Sequence, residues 1–133
     1  MGNDFSNYEP SARCKQAWAT YLQSPLSGHI SKLSQMVDCP IVLPKDPRYN
    51  QLRTRPYNID QQGYPLVIIR VKSVHDIMCC IEFIRKFGQG IKVCVAGGCH
   101  SSHCMIDDSF VIDLKLLNHV TLDESTMRVT VEG

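Results

Sequence analysis

Apolar residues along this chain follow a helical spacing near residue 20 and again near residue 80, and a strand-like pattern elsewhere beyond residue 65. Residues 11–24, SARCKQAWATYLQS, carry good helix formers, with Ala12, Ala17, Trp18, Tyr21 and Leu22 at partial helical spacing before Pro25, and a helix is predicted there. A second is predicted over Ser27 to Val37 on Ile30, Leu33 and Met36, with His29 as a partly exposed residue of it. Between Asp38 and Pro65 the prolines at 40, 44, 47, 56 and 65, together with Gly63, exclude any long element.

Beyond Pro65 the pattern sharpens. Leu66 to Val71, LVIIRV, is a short β-branched run that reads as a buried strand. Ser73-Val74-His75-Asp76 has the Ser-x-x-acid form of a capping box, and Val74, Ile77, Met78, Ile81, Ile84 and Phe87 recur at helical spacing up to Gly88. A helix over about 74–87 follows, with this Met and Ile stripe as its core face. Ile91 to Ala96 is the next strand, which completes a strand, helix, strand unit suited to a parallel crossover. Further strands are predicted at Phe110–Leu114, about His119–Leu122 and Met127–Val131, with Asp123-Glu124-Ser125 turning between the last two. The fold class is therefore α/β (α+β): N-terminal helices over 1–37, then a βαβ unit and further strands over 38–133.

At 133 residues the chain fits one core. Its 14 basic and 13 acidic residues give a formal charge of +1, too little to recruit nucleic acid or an anionic membrane through a global field. Lys45, Arg48, Arg53 and Arg55, interleaved with Tyr49 and Tyr57, read as a solvated basic loop, since Asp46 and Asp60 offset them. No apolar run is long enough to span a membrane, and the stretch MGNDFSNYEP does not show the basic and apolar regions of a signal peptide. Seven cysteines without a secretory signal point to reduced thiols and a cytosolic compartment. Met1 to Ser6 fits the pattern for N-myristoylation, although no polybasic or second acyl signal accompanies it. The sequence stops directly after a strand, which suggests a fragment with an uncovered sheet edge.

The stretch that carries chemistry is CVAGGCHSSHC, residues 94–104. Zinc would want four N or S ligands, and Cys99, His100, His103 and Cys104 offer them, but as two adjacent pairs rather than pairs separated by a wrap of backbone. Gly97 and Gly98, at the end of a strand, suit a different use: without a Cβ they let consecutive N–H groups converge on an anion such as a pyrophosphate.

Several stretches share an order and spacing. They are Tyr49 and Asn58 ahead of Pro65; Val67 to Val71 and Ser73 to Ile77; Val93-Cys94-Val95-Ala96-Gly97-Gly98-Cys99-His100-Ser101; and Val111-Ile112-Asp113-Leu114, Leu117-Asn118, Val120 and Asp123. Over about residues 38–133 the chain thus resembles the N-terminal part of the PCMH-type FAD-binding domain of the vanillyl-alcohol oxidase and para-cresol methylhydroxylase superfamily. Within it the berberine-bridge-enzyme-like oxidases are the most similar.

This resemblance implies FAD as cofactor, with Ala96, Gly97, Gly98, Cys99, Ser101 and Ser102 supplying amides or hydroxyls to its phosphates. His100 stands where the family often has a histidine bonded to the 8α-methyl of the flavin; the residues alone leave ligand, hydrogen-bond donor and polar loop residue open. The loop departs from the usual Arg-Gly-Gly-Gly-His in having Ala96 for the arginine and Cys99 for the third glycine. His103 and Cys104 read as packing or hydrogen-bonding residues, and His75 and His119 as structural. No catalytic residue is identifiable, because the resemblance assigns the substrate pocket and base to a domain beyond this chain. The implied reaction of a full-length protein is hydride transfer from an alcohol, amine or sugar carbon to the flavin, often with reoxidation by oxygen. Two other functions fit the sequence: a non-catalytic module that binds a protein partner at the sheet edge, and a small zinc module on residues 99, 100, 103 and 104.

Overall fold

The computed structural model describes residues 5–133; most of the N-terminal acylation pattern, Met1 to Asp4, lies outside the described residues. Helix α1 spans Ala12–Gln23, and Ser11 caps it by accepting a hydrogen bond from the Cys14 amide at 3.2 Å. Cys14, Ala17 and Tyr21 form its buried stripe, while Leu22 stays exposed. Helix α2 is shorter than predicted, Ile30–Met36, and His29 precedes it as the capping residue, stacked on Phe87 with ring centroids 4.1 Å apart. The proline-rich stretch holds only the two-residue strand β1 (Ile41–Val42), the five-residue helix α3 (Tyr49–Arg53) and one 3-10 turn over Ile59–Gln61.

Strands β2 (Val67–Arg70), β3 (Lys92–Ala96) and β4 (Ser109–Asp113) form the main sheet with β1, in the order β1-β2-β4-β3. Strands β2, β4 and β3 are parallel, and β4 lies between the two strands that helix α4 (Val74–Phe87) connects. A parallel sheet is covered on both faces, which is why β2 and β4 read as continuous apolar runs. On one face Val67, Ile69, Phe110 and Ile112 pack with Tyr21, Leu33, Cys80 and Phe83. On the other, Ile68, Val111, Cys94 and Ala96 pack with Tyr49, Met105, Cys99 and Cys104.

Helix α4 starts as its sequence predicts, with Ser73 accepting from the Asp76 amide at 3.2 Å, but the Asp76 carboxylate accepts from the Lys72 amide at 2.9 Å instead of closing the box on Ser73. Of the predicted core stripe, Ile77, Ile84 and Phe87 pack against the core, and the other half does not. The buried residues are Asp76, Cys79, Cys80 and Phe83, whereas Val74, Met78 and Ile81 are 68%, 56% and 45% exposed. The apolar arc of this helix is wider than the surface beneath it, so burial falls on the cysteines and Phe83 and leaves part of the aliphatic stripe outside.

Strands β5 (Val120–Asp123) and β6 (Arg128–Val131) make a separate antiparallel hairpin. Its register pairs Val120 with Val131 and Leu122 with Val129, so four apolar side chains share one face, and all four are exposed. No helix among the described residues is long and apolar enough to cross a membrane.

Candidate functional site

The loop that leaves β3 at Gly97 and returns to β4 at Ser109 is held at both ends. Near its far end Gly63 donates to the Met105 carbonyl at 2.9 Å, the Tyr64 amide donates to Asp107 Oδ1 at 2.7 Å, and Ser109 Oγ donates to the Ile106 carbonyl at 2.6 Å. A Cβ on Gly63 would sit 2.3 Å from the Met105 oxygen, so only glycine permits this approach.

At its near end the anchor is an ion cluster. Arg55 donates to the Gly97 carbonyl at 2.8 Å and is also paired to Asp113, which is 0% exposed at the end of β4. Asp113 also accepts the Lys115 amide at 2.9 Å and lies 3.3 Å from Arg70 Nε. A buried carboxylate is tolerated when charges and N–H groups surround it, and this one fixes the exit of β4 against the start of the glycine loop. Sequence reasoning reads Asp113 only as part of the resemblance and Arg55 only as a basic loop residue. Nothing local links two residues 58 positions apart.

Between these anchors lie the residues singled out from the sequence. Among the described residues, the backbone N–H groups of 97–102 find no protein acceptor. A Cβ on Gly97 would meet nothing within 4 Å, so the protein's own packing does not require glycine there. Gly97 and Gly98 instead border a concavity of about 340 Å3, with Lys115, Leu117, Asn118 and the end of β6 across it. At Gly97 and Gly98, backbone donors without a protein acceptor thus border a cleft at the carboxyl end of parallel strands, an arrangement that can receive an anion.

Cys99, in the place of a third glycine, adopts φ +58°, the left-handed region that glycine favours. Its side chain is only 9% exposed and packs in the same cluster as Cys104. The Cys104 thiol is pushed up to about 11, first by burial and then by its hydrogen bond with the Cys99 thiol, so it is neutral and unreactive near pH 7. His100, Ser101, Ser102 and His103 are exposed, and the His100 ring lies back over Gly98, its Cδ2 3.1 Å from where a Cβ would be. The loop therefore turns its thiols inward and its imidazoles outward. Among the described residues no three His, Cys, Asp or Glu side chains gather to hold a metal, and Cys99, His100, His103 and Cys104 do not converge. Of the remaining histidines, His75 Nε2 lies 3.5 Å from the Cys79 thiol and His119 pairs with Glu132 at 2.8 Å.

The basic stretch is not laid out as a tape of alternating charge and ring. Tyr49 is buried and donates to the Pro65 carbonyl at 2.7 Å, Arg53 stacks on Tyr64 at 3.8 Å, and Arg55 is committed to Asp113 and Gly97.

No family model matches the chain. An FAD-linked oxidoreductase of Aspergillus terreus, pgmH, is 35% identical over 86 residues, which cover 64% of this chain and 17% of that protein. An FAD-linked oxidoreductase of Dictyostelium discoideum is 25% identical over 84 residues, or 63% of this chain and 18% of that protein. The chain thus spans less than a fifth of the length of the curated relatives it matches. The solved structure of BBE-like 1 from Physcomitrella patens superposes with a TM-score of 0.68 at 16% identity, over 77% of this chain and 22% of that one, a likeness of fold.

Proposed function

We propose that this chain, which in sequence and fold matches part of the berberine-bridge-enzyme-like FAD-linked oxidoreductases, binds FAD through the loop at residues 96–102. The observation that carries the reading is the run of N–H groups from 97 to 102 without protein acceptors, beside an open position at Gly97. Gly97 and Gly98 border the cleft that would take the diphosphate, with Lys115 across it adding positive charge and Ala96 ending the strand that sets them. The resemblance adds the Cys99 amide and the hydroxyls of Ser101 and Ser102 as donors, although Ser102 borders a separate concavity with Asp60, Gly63 and Met105. His100, exposed and with no ring nitrogen bonded to protein among the described residues, is the candidate for a covalent link to the flavin ring.

When bound, FAD supplies the electron acceptor for hydride transfer from an alcohol, amine or sugar carbon. This chain's part in that chemistry is to hold and orient the cofactor, and a substrate pocket and base come from elsewhere in a longer protein. Residues 38–133 form the cofactor-holding portion, preceded by the helical segment 1–37.

Titration of the purified chain with FAD, followed by acid precipitation and metal analysis of the same sample, tests the reading. Binding that Gly97→Leu abolishes while the fold persists is the expected result. Flavin that stays with the pellet, and leaves it in His100→Ala, assigns the bond to His100. A folded chain that binds no FAD, or binds it equally well in Gly97→Leu, overturns the proposal, and stoichiometric zinc would favour a metal module in its place. The exposed apolar face of the β5–β6 hairpin supports a second reading, a module that binds a protein partner without catalysis. That reading predicts association lost on Leu122→Lys with FAD binding unchanged.

A further inference from the structure

A second concavity, of about 370 Å3, opens beside the ion cluster and is lined by Arg48, Gln51, Leu52, Arg55, Arg70 and Lys115. Four cations face it and only two carboxylates balance them. Asp46 pairs with Arg48 at 2.7 Å, and the buried Asp113 is shared by Arg55 and Arg70. Lys115 has no carboxylate within ion-pair reach among the described residues.

Donors are in excess as well as charge. A guanidinium carries five N–H groups. Arg70 meets Asp113 only through Nε, at 3.3 Å, and among the described residues its two terminal nitrogens find no acceptor. The concavity touches the glycine-loop cleft through Lys115, the one residue that lines both. An ion pair needed only to lock β4 would require one arginine. A second arginine, a third nearby and an unpaired lysine around a small cavity match the forked, multidentate recognition of an oxyanion.

We propose that this basin binds the phosphate group of a small molecule. The basin shares Lys115 with the proposed flavin site, whereas Arg48, Arg55 and Arg70 line the basin alone, so phosphate binding that depends on Arg48 tests the basin apart from the flavin reading. Two sources supply such a group: the diphosphate of FAD itself, or a separate phosphate ester.

Inorganic phosphate is the probe, titrated at low ionic strength into the 15N-labelled chain with amide and arginine Nε–H resonances followed, and chloride as control. Expected are saturable shifts at residues 48–55, 70 and 115. Arg48→Gln and Lys115→Met are each expected to weaken binding about tenfold, the loss of one charge-assisted contact. Both side chains are substantially exposed, so neither substitution disturbs the core. Displacement of phosphate by FAD identifies the cofactor as the source, and simultaneous binding of the two identifies a separate phosphate ester. Absence of saturable binding, or an affinity unchanged from that of the natural chain in both variants, overturns the proposal.

Discussion

Cys99 allows a stability test in which the sign is diagnostic. Its φ of +58° lies where an L-residue is strained by roughly 1–2 kcal/mol, and glycine is not. Glycine has its own cost, since it loses more chain entropy on folding, about 0.5–1 kcal/mol relative to alanine. At this position the strain outweighs the entropy, so Cys99→Gly should be more stable than Cys99→Ala by about 0.5–1 kcal/mol. Against the natural chain, both lose a side chain that is only 9% exposed, worth about 1 kcal/mol. Alanine should therefore sit about 1 kcal/mol below wild type, and glycine close to it. Urea unfolding under reducing conditions reads both differences as shifts in midpoint at constant slope. Should Cys99→Gly prove less stable than Cys99→Ala, as at an ordinary position, the loop does not hold residue 99 in the left-handed region.

Three further outcomes follow from the same packing. Gly63→Ala is expected to cost about 3 kcal/mol, since its Cβ would sit 2.3 Å from the Met105 oxygen, while Gly97→Ala should stay within about 0.5 kcal/mol of wild type; urea midpoints compare them. Asp113→Ala leaves Arg55 and Arg70 without their shared carboxylate, so a loss of about 3–5 kcal/mol is expected, with increased hydrogen exchange in the amides around Gly97. Stability should also fall in alkali. Burial raises the Cys39 and Cys80 thiols from 9.0 to about 12 and Cys104 to about 11. Their neutral forms are therefore favoured by folding, and the stability they contribute is complete below pH 9 and declines as pH rises toward 11–12. A midpoint that is flat from pH 8 to 11 would contradict that burial.

The parts of this fold legible in the sequence are those governed by neighbours in the chain. Ser73, the apolar run 67–71 and Gly88 act within a few residues of themselves, so the strand, helix, strand unit and its ends can be read directly. The buried face of α4 is different: Val74, Met78 and Ile81 are as apolar as Cys79, Cys80 and Phe83, and periodicity alone does not say which arc the sheet covers. The glycine loop shows the same division. Its sequence points to backbone donors, whereas what holds them comes from Arg55, Gly63 and Asp113, brought to the loop by long-range pairing of β4 with β2 and β3. The family resemblance places an arginine where this chain has Ala96, a buried position with no room for a charge. Here a guanidinium reaches the adjacent Gly97 carbonyl from residue 55, in a segment whose sequence reads only as a basic loop. If Arg55 does substitute for the missing arginine, Arg55→Gln should loosen the loop as Asp113→Ala does, and restoring the charge as Ala96→Arg should fail to rescue it, because the space at 96 belongs to the core.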